Sequence, residues 1–475
     1  MKTAPLLLMI LLCFCANYST AQDTHYWTQQ YGARAAFLGG AAIAGLDNNS
    51  SIFYNPANIA FIRESTVSLN TNVYKYEDIS IKNGAGDSLD LRSQRFSLHP
   101  QMLSGLITKN PGKRWRMGFA VLTRYHANFD INQQHVAEYD VIPSHGGDEV
   151  YLGSVELQNH INETWACLGM GYQITDYLSA GITGIVSYRN QKHVNAFSAR
   201  ASYDKVTPNS SPFLASHTYD LEMRLNNIKA LFKVGVHARF GAWRLGATFT
   251  TPSLNIWGES RVQRESTQNN IQPDQDISKL DQQRQLKTNF KQPLSAGLGV
   301  AYEYKKGLIT VSAEYFGPIA EYQMIKGTIS KVAYPSPPNG YEGEDFVSMY
   351  NKADQVINLG VGWEHKLTDV FTLHAGVRSD MSYRRSSFSQ NRLAINSAPI
   401  DLYHVSSGVS WRRRASFFSF GVDYALTIEP RIQQLINLTS PTIEQRLLGT
   451  RDASAKYSGH TLTLLIGYTY FFALQ

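Results

Sequence analysis

Period-2 alternation runs through most of the chain, and it confines the sequence to β-structure of a particular kind. Between 460 and 472 one parity reads Leu462, Leu464, Ile466, Tyr468, Tyr470, Phe472, and the other Thr461, Thr463, Leu465, Gly467, Thr469, Phe471. Between 418 and 428, Phe418, Phe420, Val422, Tyr424, Leu426 and Ile428 oppose Ser419, Gly421, Asp423, Ala425 and Thr427. Successive side chains of a strand point to opposite sides of its sheet, so each segment separates an apolar from a small, polar environment. About fourteen such strands fit between 66 and 472, with aromatics gathered near their ends as in membrane girdles.

The connections sort by length. Short turns fall near 110–113, 175–177, 240–243, 305–307, 366–369 and 412–415, where Gly, Asp, Pro and Lys are common. Long polar loops fall near 79–93, 126–150, 204–216, 262–285, 328–350, 386–400 and 430–455. Long loops alternating with short turns are the order of an even-stranded outer-membrane barrel with both ends in the periplasm. No segment reaches ~18 uninterrupted apolar residues, which excludes a helical membrane protein but not a barrel.

Residues 1–21 read as a secretory signal, with Lys2 before the apolar run 5–16 and Ser19, Thr20 and Ala21 ahead of the cleavage point. Both Cys13 and Cys15 lie within it, so Cys167 alone remains in the mature chain and no internal disulfide forms. The formal net charge of +6 is modest and dispersed over many loops. It does not form the basic face of a nucleic-acid-binding protein. No Gly-x-Ser-x-Gly elbow, His-Glu-x-x-His, phosphate loop or paired-Cys spacing is present. The expectation is therefore a non-enzyme, with no metal site and no cofactor.

A barrel of fourteen strands is wide enough to need a filling, since an eight-stranded one is about the size that side chains alone can fill. Residues 22–62 are the available segment, small-residue-rich and too apolar for a free tail. Within them a short helix is expected over 35–46, with Gly39, Gly40 and Gly45 permitting bends, and turns at 48–51 and Asn55-Pro56. The domain division is thus signal 1–21, hatch 22–62 and barrel 63–475. Lys233, His237, Arg239, Glu314, His374, Arg378, Asp380 and Asp423 fall on the inward parity. There they are expected chiefly to tie the filling to the wall rather than to handle cargo.

Gly32, Arg34, Gly40, Ala41, Ile43, Ala44, Asp47 and then Asn55, Pro56 and Ala57, directly after a signal peptide, resemble the N-terminal hatch of the FadL/TodX family. These are outer-membrane transporters of long-chain fatty acids and hydrocarbons. The motif covers about forty residues, and the strand count extends it. The resemblance implies an all-β, transmembrane antiparallel β-barrel of the bacterial outer membrane with the hatch inside the lumen. The implied function is passive uptake of fatty acids or similar hydrophobic compounds, gated by the hatch, with release through a lateral opening in the wall. Tyr31, Arg34, Phe37, Leu38, Ile43 and Phe53 are the candidate ligand-binding residues; Gly32, Gly40, Asp47, Asn55, Pro56 and Ala57 carry the hatch motif. Partners are then hydrophobic small molecules and outer-membrane lipid. Some barrels with this fold serve as substrate shuttles of the type IX secretion system, so secretion-system proteins are the alternative partners; a ligand-free structural barrel is the blander one. Two departures stand out: an extension, 22–30, precedes the hatch motif, and the chain ends at 473–475 without a terminal aromatic.

Overall fold

The alternating segments pair edge to edge until the last meets the first, which removes the open edges that a sheet would otherwise expose to lipid. The computed structural model describes residues 24–107, 113–143, 146–203, 213–271, 276–329, 333–334, 345–389, 392–395, 398–427 and 431–472. The result is a closed antiparallel barrel of fourteen strands. They are β1 (Thr66–Lys82), β2 (Leu91–Ile107), β3 (Trp115–Tyr139), β4 (Glu149–Gln173), β5 (Leu178–Tyr203) and β6 (Phe213–Phe240). Four interrupted strands follow: β7 (Trp243–Thr250, Leu254–Asn269), β8 (Ile277–Lys287, Ser295–Tyr304), β9 (Gly307–Phe316, Ile319–Ile325) and β10 (Met349–Ala353, Val356–Lys366). The last four are β11 (Phe371–Asp380), β12 (Leu402–Arg413), β13 (Ser416–Thr427) and β14 (Lys456–Phe471). Closure runs the length of β1, from Thr66 opposite Phe471 to Lys82 opposite Lys456.

The outward parity stays apolar and exposed, as at Leu168, Met170, Phe232, Val234, Leu298 and Leu359. Such a surface is unsuited to water and is the lipid face of a membrane barrel. Short turns gather at the rim where β1 begins, the periplasmic one, and long loops at the other. The strands run further outward than the sequence pattern indicates. Much of 79–93, 126–150 and 262–285, expected as loop, is strand: β3 continues to Tyr139, β7 to Asn269, and β8 begins at Ile277. Backbone pairing needs no apolar face, so the ladder persists after the lipid-facing stripe ends. At 28 residues, β6 is well beyond the roughly 9–11 a membrane crossing requires.

The breaks in β7–β10 lie at one height. Thr250, Ser295, Phe316 and Val356 are successive register partners, and each is the strand residue bordering its break. Pro252, Pro293 and Pro318 occupy three of the four gaps, where the missing N–H removes a ladder bond.

Residues 24–62 lie inside the barrel. Helix α1 (Ala33–Phe37) touches β11–β14, α2 (Ser51–Tyr54) touches β3 and β4, and a 3-10 helix (Pro56–Phe61) touches β3–β6. The helix expected over 35–46 ends instead at Phe37. Gly39 and Gly40 follow with φ of 60° and 72°, a left-handed backbone that reverses the chain. At the outer mouth the segment 431–455 folds inward. Leu435, Ile436, Leu438 and Leu447 pack on Phe129, Tyr151, Leu157 and Phe197. The amides of Leu435 and Leu438 donate to the carbonyls of Gly84 and Ala85 (2.9 and 2.8 Å), stitching it to the first outer loop.

Candidate functional site

Glycines on the inner wall face the N-terminal segment, and they explain how so wide a barrel is filled without a large core. A Cβ on Gly376 would stand 2.2 Å from the amide nitrogen of Gly39, and one on Gly181 2.4 Å from the carbonyl carbon of Pro56. Gly408 and Gly421 take the ring of Phe37, Gly362 takes Leu38, and Gly297 and Gly299 take Ile43. Where the wall has no side chain, the segment sits directly on the strand backbone. Gly376→Val should therefore unseat α1 at a cost of about 1–3 kcal/mol. Limited proteolysis should then cut within 32–57 while the barrel still migrates as a folded band.

Polar groups complete the seating. Asn55 accepts from the Ala57 amide (3.1 Å) and donates to the carbonyls of Ile43 and Val236 (both 3.0 Å), tying two turns of the segment to β6. Asp47 receives Arg239 and Arg244, each at 2.6 Å. Arg34 pairs with Glu364 at 2.5 Å, beside His374. The Trp27 indole donates to Glu314 (2.8 Å), and Asp380 accepts from the Trp27 amide (2.9 Å) and the Thr28 hydroxyl (2.8 Å). His237 meets the Ala44 carbonyl at 3.2 Å, Lys233 lies over the Phe53 ring at 4.7 Å, and Arg378 donates to the carbonyls of Trp27 and Thr28 while pairing with Asp423. The inward ionisable groups thus hold the segment to the wall, the use the sequence favoured. Sequence parity missed the group formed by Glu163, Arg189 and Lys229, fully buried on β4–β6, because alternation alone does not show which outer strand residues still face the lumen.

Two chambers lie on either side of this segment. The periplasmic one, about 610 Å³, is lined by Arg34, Asp47, Arg244, Glu303, Glu364 and Arg412 among others. The outer one, about 160 Å³, has Thr24, His25, Thr28, Gln29 and Gln30 along its inner end and Ile79, Ile81, Phe129, Ile432 and Tyr457 further out. The extension 22–30 therefore supplies much of that inner end, through its described residues.

The candidate residues divide between these surroundings. Tyr31 is fully buried, its hydroxyl donating to the Arg124 carbonyl (2.9 Å) and its ring edge-on to Phe53 (4.5 Å). Tyr54 accepts from the Tyr31 amide and donates to Gln30 (2.7 Å). Burial pushes the pKa of both phenols above the ordinary value, so they remain protonated. Phe53 borders a smaller pocket with Trp27, Trp165 and Lys233. Phe37, Leu38 and Ile43 are enclosed in the glycine sockets, and Arg34 borders the periplasmic chamber. Of the motif residues, Gly32 precedes α1 with φ of 82°, Gly40 abuts Gln30, and Pro56 and Ala57 rest on Gly181.

The wall beside the outer chamber is incompletely paired. Among the described residues β2 and β3 pair only from Met102–Leu122 to Ile107–Met117, although both strands continue outward. Two bulges mark the point of separation. The β1–β2 register slips between Asn70 and Thr71, placing Gln101 as the extra residue, and the β3–β4 register slips around Arg124. Bulges bend a strand away from its neighbour, and Pro100 brings no N–H. Beyond this point no backbone ladder joins the strands among the described residues, and each bridge between them uses at least one side chain. Arg95 pairs with Asp130, Thr123 donates to the Pro100 carbonyl (2.7 Å), the Asp130 amide donates to Ser93 (3.2 Å), and the His99 and His126 rings stand 4.7 Å apart.

The family profile described as outer membrane protein transport protein (OMPP1/FadL/TodX) matches residues 20–470. The chain belongs to that family. FadL/TodX proteins are outer-membrane transport proteins, and the present barrel is accordingly one of the bacterial outer membrane. Solved FadL-like structures share its fold. A Pseudomonas aeruginosa FadL homologue superposes with a TM-score of 0.58 at 14% identity, covering 94% of this chain and 100% of the other. The Pseudomonas putida toluene transporter TodX gives 0.61 at 14% identity over 94% and 99%. The Ralstonia pickettii toluene transporter TbuX gives 0.52 at 11% identity over 94% and 100%. No curated protein matches the sequence.

Proposed function

We propose that this FadL/TodX member is a passive uptake channel for long-chain fatty acids or similar hydrophobic compounds, with residues 24–62 acting as its hatch. The observation that carries this reading is the continuity of the outer chamber with the incompletely paired wall. Ser93, Arg95 and Gln101 of β2 and Tyr125, Ala127 and Asn128 of β3 line that chamber, all beyond the last β2–β3 pair. A hydrophobic molecule entering past Ile79, Phe129 and Ile432 reaches a floor made by the hatch and a side wall without a backbone ladder. Apolar burial drives entry at roughly 25 cal/mol per Å². Departure between β2 and β3 then delivers the molecule into lipid, so it need not traverse the charged periplasmic chamber.

Purified protein in liposomes should bind a fluorescent acyl probe and accelerate its transfer across the bilayer. Failure of both rejects the channel. Co-purification of secretion components or a cargo C-terminal domain from cells, with no acyl probe bound, would assign the barrel to protein secretion instead.

A further inference from the structure

The smaller pocket that Phe53 borders contains a buried cation with no counter-ion beside it. Lys233 on β6 is 4% exposed, and its ammonium makes no hydrogen bond or ion pair among the described residues. It lies 4.7 Å over the Phe53 ring, a contact that favours the charged form over the neutral amine. Thr250 on β7 is its register partner, also inward, and 6% exposed. The Thr250 hydroxyl has no hydrogen-bond partner among the described residues either. Both residues line the pocket, and neither the nitrogen nor the oxygen is sealed off by protein atoms. A desolvated ammonium is costly unless a negative charge meets it.

The lining narrows what that charge is. It carries two cations, Arg124 and Lys233, and one carboxylate, Glu314, which leaves a net +1. Glu314 stands outside ion-pair distance of Lys233, and its oxygens receive the Trp27 indole (2.8 Å) and the Ser295 hydroxyl (2.7 Å). The Gln30 amide is engaged at both ends, with the Trp27 carbonyl (2.9 Å) and the Tyr54 hydroxyl (2.7 Å). The pocket measures about 30 Å³, room for one or two water-sized occupants and not for an acyl chain. Gln29 and Gln30 line both this pocket and the outer chamber, so they form the partition between the two.

We propose that Lys233 and Thr250 form a binding site for one small inorganic anion of the size of chloride. The ammonium supplies the charge, and the Thr250 hydroxyl donates a second, charge-assisted hydrogen bond. The ion lies between the β6–β7 wall and the hatch residues Trp27, Phe53 and Tyr54, so it adds to the seating that the direct ion pairs provide. An acyl carboxylate has the same charge but brings a chain the pocket does not hold. The site is independent of the channel reading above.

Bromide, which scatters anomalously, tests this in crystals of the full chain. An anomalous peak should stand within hydrogen-bonding reach of Lys233 Nζ and Thr250 Oγ1. It should vanish in Lys233→Met, weaken in Thr250→Val and stay unchanged when dodecanoate is added. In detergent solution, chloride replacing gluconate at constant ionic strength should raise the thermal transition. Over a roughly hundredfold rise in chloride the shift should be about 2–4 °C, and Lys233→Met should lose it. A structure without a peak at Lys233 overturns the site, and a peak that survives Lys233→Met marks an adventitious ion only and overturns it as well. Displacement of bromide by dodecanoate would make the position a cargo headgroup site and overturn the inorganic ion. Equal chloride responses in the native chain and both variants overturn it too.

Discussion

A disulfide across the β2–β3 edge should abolish uptake while leaving ligand binding intact. Ser93 and Asp130 are the positions to use, because the Asp130 amide already donates to the Ser93 hydroxyl at 3.2 Å and the two backbones are adjacent. The double substitution Ser93→Cys with Asp130→Cys, made with Cys167→Ser to leave one pair, replaces a side-chain bridge by a covalent one. In the oxidised state the fluorescent probe should still reach the outer chamber, but its transfer to the bilayer should fall to that of empty liposomes. Reduction should restore it. Arg95 loses its partner in the same variant, so the reduced form is the proper reference. Uptake at the reduced rate with the disulfide closed would send the cargo elsewhere, through a hatch displaced into the periplasmic chamber.

Glu163→Ala should be the most destabilising single substitution in the lumen. Glu163 meets Arg189 at 2.8 Å and Lys229 at 3.1 Å, and accepts from the Trp165 indole (2.7 Å) and the Ser187 hydroxyl (2.9 Å). The three charged side chains are 0–2% exposed, and Phe290 covers both cations, 4.0 Å from Arg189 and 4.9 Å from Lys229. Removing the anion strands two buried cations, a loss of about 3–5 kcal/mol. Glu163→Gln preserves an acceptor for Trp165 and Ser187 and should lose less. Thermal unfolding in detergent, followed by the shift from folded to unfolded gel mobility, reads both. A transition unchanged in Glu163→Ala would mean that water reaches the cluster.

Neither of these sites was legible in the chain. The inward parity of β11–β14 could be read from 371–380 and 418–428 because alternation there is strict and both environments are uniform. At Gln101 and Arg124 the bulges shift the parity by one residue, and a local pattern carries no notice of that. Glu163, Arg189 and Lys229 lie in strands whose outer halves turn apolar side chains such as Val155, Leu157, Phe197, Leu221 and Met223 to the lumen, so the sense of the alternation reverses along the strand and parity alone does not assign a polar residue to lumen or surface.

The N-terminal segment shows the same division. Its small residues and Asn55-Pro56 turn marked it in the sequence as something packed closely against a wall, and the inward Gly376, Gly421 and Gly467 could be read as a small face. Only the fold shows that these belong together, Phe37 in the notch of Gly408 and Gly421, Gly39 on Gly376, Ala33 on Gly467. It also shows that Arg34 borders the periplasmic chamber while the extension ahead of the motif borders the outer one.

The sequence by itself determined the barrel, its strand number and the segment that enters it. Strand periodicity and loop length are local properties, set by neighbours two residues apart and by the medium on each side. The tertiary structure decided where the wall stops pairing, which glycine receives which side chain, and which buried charges meet across the lumen. Each of those depends on register between strands distant in the chain, and one bulged residue is enough to change it.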